Sequence, residues 1–515
     1  MGITSLSYLG FLIVALLGYY CIPGKIRWMS LLIFSVAYSM AAGEPLLIIY
    51  PVASVLVAWI CTNQIEKIRN QKTDDNRKND IDKKCRFLLY LALAGCLGVL
   101  VVLKYLNLGV YTVNGICGIF TGKTGVIEAL HWMAPVGVSF YTMSLMSYIF
   151  DVYYEMGKAE KNYFRLLLFG TYFPLMISGP IVRYKDMEGK LFAAHKLEYN
   201  NLTFGAARIL WGFFKSLVVS ERLAVVVGEI FNNFESYSGI YVALGMMCFT
   251  LQLYTNFSGS MDIIMGVSQM LGIELPENFK QPFFSETIQE FWQRWHITLG
   301  AWLKDYVLYP VLRSKPFMEL PKKLKDKCGK KKAKQYTTFI ALAILWFISG
   351  LWHGGAWKYI WGTGILQCIY IIFSEITEPF FGRINDKLHV NKKAFWCVFL
   401  RRIRTFLLIT VGFMFFNASS LRTGCRMFAG LFNMSGSKGF SELGIGMMDW
   451  GILLVSLMII LAVSVLQTRG RIREKLFSYN IVIRWGILLA MIVFIVIFGN
   501  YGPGYSAAEF IYQGF

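Results

Sequence analysis

His353 closes a long apolar run in the segment Ser349-Gly350-Leu351-Trp352-His353-Gly354-Gly355-Ala356-Trp357, and the two glycines after it let the backbone open toward a substrate. An ionised side chain at membrane depth is expensive unless it is paired, so a histidine there is a functional candidate. A neutral imidazole remains a base, and its ordinary pKa near neutrality suits removal of a proton from a hydroxyl. The competing reading is a core histidine bonded to a backbone carbonyl, and the pattern alone leaves both open. His296 is the second candidate. In Gln289-Glu290-Phe291-Trp292-Gln293-Arg294-Trp295-His296, two tryptophans, an arginine and a histidine crowd into one or two turns. Read as a helix, this segment puts Trp292 and His296 on one face and points Arg294 elsewhere. It continues through Trp302, Lys304, Asp305 and Tyr306, a mixture that fits an interface or a tunnel wall better than a lipid-facing span. The other three histidines are plainer: His195 and His389 read as loop or interface positions, and His131 as a helix end.

Further polar groups stand in apolar surroundings. Asn256-Phe257-Ser258-Gly259-Ser260 and Asp262 interrupt an apolar stretch, Pro276-Glu277-Asn278-Phe279 precedes an aromatic-rich turn, and Ser178-Gly179-Pro180-Ile181-Val182-Arg183-Tyr184 breaks a short apolar piece. There is no GxSxG elbow, HExxH pair or P-loop, so hydrolase, metalloprotease and nucleotide-driven pump readings lose their usual supports. Ten cysteines are scattered singly without CxxC or Cys/His ligand spacing. Neither a zinc site nor a disulfide framework is expected, and no metal is assigned.

The elements that must position these residues are membrane helices. Of 515 residues 56% are hydrophobic and 16% charged, with a mean hydropathy of +0.50, whereas soluble domains carry about 25% charged residues. Apolar runs such as Phe87 to Leu103, Trp450 to Leu466 and Ile481 to Phe498 each match the hydrocarbon thickness as a helix and do not alternate as barrel strands would. The expectation is an all-α polytopic membrane protein of about 11–13 membrane helices, with partial or re-entrant pieces at 164–178, 261–272 and 298–312. The start, MGITSLSYLGFLIVALLGYY, reads as a first membrane helix, because it lacks a basic n-region and a clear cleavage site. The net charge of +20 gathers in four connections, Asn63–Arg86, Arg313–Lys334, Arg383–Arg404 and Arg469–Arg484. That is the pattern of cytoplasmic loops in a lipid bilayer, with the N-terminus outside, and not that of a nucleic-acid binder. The Arg313–Lys334 run reads as a solvated loop touching anionic lipid, with an acidic donor or carrier protein as the alternative. From it the helix 337–351 climbs to His353. No internal repeat is visible.

Five segments in this order resemble the membrane-bound O-acyltransferase family: Pro135-Val136-Gly137-Val138-Ser139-Phe140-Tyr141, the Ser178–Tyr184 segment, Pro276–Phe279, Phe291–His296 and Leu351-Trp352-His353-Gly354. The resemblance is to the bacterial branch that includes the alginate O-acetyltransferase membrane subunit and the membrane protein of teichoic-acid D-alanylation. It implies a ring of helices around a central tunnel, with residues 1–84 as N-terminal helices and basic loop, 85–375 as catalytic core and 376–515 as C-terminal helices. It implies a bacterial cytoplasmic-membrane location, His353 as catalytic base and His296 as a second important histidine. Trp352, Trp295, Arg294, Asn256, Asp305 and Asn278 become candidates for the tunnel wall, and His296, Asn256 or a backbone amide a candidate for steadying the oxyanion. The donor it implies is a cytoplasmic thioester, acetyl-CoA or an acyl carrier, used as substrate with no bound cofactor. The acceptor is a hydroxyl on a cell-surface polysaccharide or on an extracytoplasmic partner. D-alanyl transfer to teichoic acid is the alternative, and a transporter without acyl chemistry the alternative of another class. Two departures stand out. Asn256-Phe257-Ser258-Gly259-Ser260 lies where the alginate-type proteins carry Asp-Phe-Ser-Gly-Tyr, and Phe415-Phe416-Asn417-Ala418-Ser419-Ser420 lacks their arginine and aspartate. Both bear on donor and acceptor more than on the reaction class.

Overall fold

The computed structural model describes residues 1–71, 78–121, 126–130 and 133–501. His131 lies outside the described residues. Among them the chain is all-helical, with no strand beyond two isolated bridges, Tyr237 with Lys438 and Phe279 with Trp295. The fold class expected from hydropathy is the one observed.

Among the described residues seven helices are long and apolar enough to cross a membrane: Pro45–Arg69, Lys78–Gly118, Gly239–Met270, Lys315–His353, Trp357–Lys387, Met447–Gln467 and Ile481–Phe498. Leu6–Cys21 is a shorter apolar helix. Other apolar stretches fold into helices such as Arg27–Ala42 and Val138–Tyr153, 16 residues each. At 1.5 Å per residue these reach about 24 Å, short of a ~30 Å hydrocarbon layer. On Met447–Gln467 and Ile481–Phe498 large apolar side chains such as Leu454, Met458, Leu461, Leu489, Val493 and Val496 are exposed, as a lipid-facing surface requires.

The chain divides into two compact units. The first comprises Met1–Leu217, Phe257–Pro276 and Arg473–Gly514. Within it, the helix starting at Tyr199 and the C-terminal part of Gly239–Met270 approach through glycines. A Cβ on Gly212 would stand 2.6 Å from the Gly259 carbonyl oxygen, and one on Gly266 2.6 Å from that of Gly205. Small residues at both positions let the two backbones touch, the packing that membrane helices use in place of a hydrophobic drive. Between them sits a buried ion cluster. Asp262 accepts from Arg208 Nε at 2.8 Å and from Lys215 Nζ at 2.6 Å, and Lys215 also donates to Ser258 at 2.9 Å. This corrects the reading of residues 256–262 as an interruption and of 261–272 as a re-entrant piece. Gly239–Met270 is one helix of 32 residues, because its polar side chains find partners on the neighbouring helix and need not break the backbone.

The second unit comprises Val218–Asn256 and Glu277–Ile472. Its axis is the 39-residue helix Lys315–His353, bent where Gly329 takes non-helical dihedrals (φ 80°, ψ 157°). The expected solvated loop over Arg313–Lys334 is therefore mostly helix. Phe317, Leu320, Leu324 and Cys328 recur at helical spacing and are half-buried, while the lysines around them are exposed. Close packing holds the far end of this helix. A Cβ on Gly350 would lie 2.8 Å from Ile360 Cα, and one on Gly362 2.5 Å from the Gly412 carbonyl oxygen. Trp357–Lys387 and Phe395–Asn417 thus sit against the turn that carries His353.

Candidate functional site

His353 is the last residue of its helix and is 3% exposed. The chain then turns at once through Gly354. A Cβ there would meet the Tyr359 ring at 2.5 Å, so glycine is what lets Tyr359 close over the turn. The imidazole lies 5.5 Å from the Phe416 ring, edge to face, and Phe416 lies 5.0 Å from Tyr359. On its other side Trp352 is 5.0 Å from His353 and 5.4 Å from His296. One indole therefore separates the two imidazoles, and all three rings are buried.

His296 reaches this place by a break in the helix. Ile288–Arg294 ends one residue before Trp295, which is extended and bridges to Phe279. Lys280 N–H donates to the Arg294 carbonyl at 2.9 Å, and Ile297 N–H to the Asn278 carbonyl at 3.1 Å. The 278–280 segment thus takes backbone groups that another helical turn would have used, and Trp292 and His296 do not share a helical face as expected. His296 itself is left-handed (φ 47°, ψ 52°) and opens the helix Ile297–Leu303. For a residue with a Cβ this conformation costs about 1 kcal/mol or more, and such strain concentrates at functional sites.

Asn278 explains how the strain is held. Its Oδ1 accepts from Thr298 N at 3.1 Å and from Thr298 Oγ1 at 3.0 Å, and it lies 3.2 Å from His296 Nδ1. A backbone N–H can only donate, so the atom facing it is the amide oxygen, and His296 must then donate from Nδ1. In the neutral ring the lone pair is consequently on Nε2. Burial pulls the imidazole well below its ordinary pKa, which keeps it neutral.

The remaining sequence candidates separate. Trp295 is core, packed on Phe279, Phe291 and Phe413 at 5.0, 5.5 and 5.1 Å. Arg294 pairs with Glu290 at 2.6 Å on a partly exposed face. Asn256 is buried on Gly239–Met270, and Asp305 is half-buried in the π turn Lys304–Leu308. The structure brings His353, Trp352, His296 and Asn278 together, and adds Thr298, Phe416 and Tyr359, which the sequence reading did not select. Phe416 lies in a segment already singled out for departing from the resemblance, but nothing in linear spacing ties it to His353.

A family model described as the membrane-bound O-acyltransferase family matches residues 160–323, a stretch that contains Asn278 and His296 and ends before His353. The probable alginate O-acetylase of Pseudomonas putida is 33% identical over 358 residues, 69% of this chain and 66% of that protein. The peptidoglycan O-acetyltransferase of Helicobacter pylori is 27% identical over 338 residues, 60% of this chain and 59% of that protein. The teichoic acid D-alanyltransferase of Bacillus subtilis is 28% identical over 293 residues, 55% of this chain and 68% of that protein. The match to the alginate relative thus spans slightly less than two thirds of its length.

Proposed function

The chain belongs to the membrane-bound O-acyltransferase family, and from that membership we propose that it is a membrane O-acetyltransferase with His353 as general base. The observation that carries this reading is the buried pair of histidines on either side of Trp352. His353 removes the proton of the acceptor hydroxyl, whose oxygen attacks the carbonyl carbon of the thioester donor. The C–S bond then breaks, and the departing sulfur takes the proton back from the imidazolium, so the base is regenerated and no redox partner is needed. His296, with its proton on Nδ1 and its lone pair on Nε2, cannot donate to an oxyanion from Nε2. That tautomer supports a role for His296 in accepting from and orienting a substrate group, with Asn256 or a backbone amide facing the oxyanion.

On this reading the donor enters from the cytoplasm, where the basic connections lie, and His353, at the opposite end of its helix, faces an acceptor outside. The N-terminus is outside and the membrane is the bacterial cytoplasmic one. A tunnel lined by Trp352, Asn256 and Asp305 joins the two sides, and an extracytoplasmic partner completes transfer to a cell-surface polysaccharide. The teichoic acid relative supports a second reading, D-alanyl transfer from a carrier protein.

Transfer of labelled acetyl from acetyl-CoA in vesicles tests the first reading, comparing wild type with His353→Ala and His296→Ala. Label that reaches polymer or partner in wild type and is lost in His353→Ala supports it. Transfer that persists in His353→Ala rejects the assigned base. Absence of transfer in wild type with acetyl-CoA, but transfer with a D-alanyl carrier, selects the second reading, and absence with both favours transport without acyl chemistry.

A further inference from the structure

The cytoplasmic-type basic run has a shape that acyl transfer does not require. From Lys315 to Gly329 it is a helix with two unlike sides. Phe317, Leu320, Pro321, Leu324 and Cys328 fall on one side and are half-buried. Lys315, Lys322, Lys323, Lys325 and Lys327 lie away from them and are exposed, as are Lys330, Lys331, Lys332 and Lys334 after the bend. Against these nine cations the segment carries only Glu319 and Asp326, and its one ion pair among the described residues, Lys323 with Glu319, is loose at 3.9 Å. The same helix continues as a candidate membrane span. Tyr336, 44% exposed two residues after Lys334, marks where an interfacial aromatic belongs. Lys304 and Arg313 lie over the ring of Tyr309, a second aromatic at the point where the chain enters this helix. Met318, 55% exposed, adds an apolar contact among the lysines.

We infer that residues 315–334 form a headgroup-binding arm whose occupant is anionic phospholipid of the adjoining leaflet. The charge complements a phosphodiester surface. Lysine, a flexible point charge, suits fluid headgroups better than a fixed bidentate contact would, and clustered cations beside a span are drawn to an anionic leaflet. Continuity with the span places Lys330 to Lys334 within about two turns of the interfacial Tyr336. Lipid is for that reason favoured over an acidic protein. The inference rests on membrane embedding and not on the acyl chemistry.

The test uses the full chain in nanodiscs of phosphatidylcholine alone or with one third phosphatidylglycerol. A water-soluble amine-acylating reagent is applied, and modification of each lysine is read by mass spectrometry. Phosphatidylglycerol should slow modification of Lys322 to Lys332 about threefold or more, and high salt should abolish the protection. Lys392 and Lys393, in another basic connection, should change much less. A variant with Lys322, Lys323, Lys325, Lys327, Lys330 and Lys331 all changed to Gln should retain fewer phosphatidylglycerol molecules by native mass spectrometry. Equal modification in the two nanodiscs overturns the inference. So does equal protection at Lys392 and Lys393, which would report a generic surface potential, and so does protection by an acidic carrier protein but not by lipid.

Discussion

At the level of single residues, Asn278 ties the fold to the proposed chemistry. It satisfies Thr298 and fixes the His296 tautomer. Asn278→Ala should remove both functions at once. Leaving a buried N–H without its acceptor destabilises by roughly 1–3 kcal/mol, and transfer should fall more than thermal stability accounts for. Unfolding in detergent and transfer in vesicles, measured on the same preparation, check this; a loss of transfer fully explained by unfolded protein would reduce Asn278 to scaffold. The buried His296 also makes a signed pH prediction. Its pKa in the folded chain lies below the ordinary imidazole value, so the unfolded chain binds a proton first as pH falls. Its contribution is absent above about pH 6.5 and becomes destabilising below it, by roughly 2 kcal/mol at pH 5. His296→Gln should therefore flatten the fall in melting temperature between pH 7.5 and 5, and an unchanged slope would count against a neutral buried imidazole. His353 is legible in the sequence as a candidate, from its place between an apolar run and two glycines. The His296–Asn278 bond is not, because the partners stand 18 residues apart and meet through a two-residue bridge that hydrophobic pattern does not encode.

At the level of elements, polar residues inside apolar stretches were the hardest to read. A single sequence cannot say whether Asp262 breaks a helix or binds across one. The answer depends on Arg208 and Lys215, which lie about two turns apart along another helical segment and are unremarkable there. Arg208 and Lys215 are buried and the Asp262 side chain is 15% exposed, so removing the carboxylate leaves two buried cations without it, and breaking a buried pair typically destabilises by about 3–5 kcal/mol. Asp262→Ala should therefore yield little folded protein. Adding Lys215→Met should restore part of the yield, since fewer buried charges then need compensation. Expression and size-exclusion profiles of the single and double variants read this directly, and a single variant with wild-type yield would mean the cluster is not what holds the helices together. The Lys-rich connection looks like a loop in sequence for a related reason. Its charge was conspicuous, and the half-buried Phe317, Leu320, Leu324 and Cys328 that make it a helix were hidden among the lysines.

At the level of the whole molecule, the proposed orientation of the spans rests on charge distribution and not on any motif. The basic ends of Lys315–His353 and of Trp357–Lys387 lie on one side if Lys/Arg-rich connections stay in the cytoplasm. Phe395–Asn417 then runs outward from Arg401, Arg402 and Arg404, and residues 418–446 lie outside. Two native cysteines test this without engineering a site. Cys425, on the helix Leu421–Gly430, is exposed, and Cys328, at the bend of the lysine-faced helix, is partly so. A membrane-impermeant maleimide applied to intact cells or spheroplasts should modify Cys425 and leave Cys328 unmodified until the membrane is opened. The opposite order would place His353 at the cytoplasmic end of its helix. Acceptor and donor would then approach from the same side, and the case for an extracytoplasmic acceptor would fall while the two-histidine site remained. The direction of acyl flow therefore rests on this labelling order, which neither the family relationship nor the geometry around Trp352 supplies.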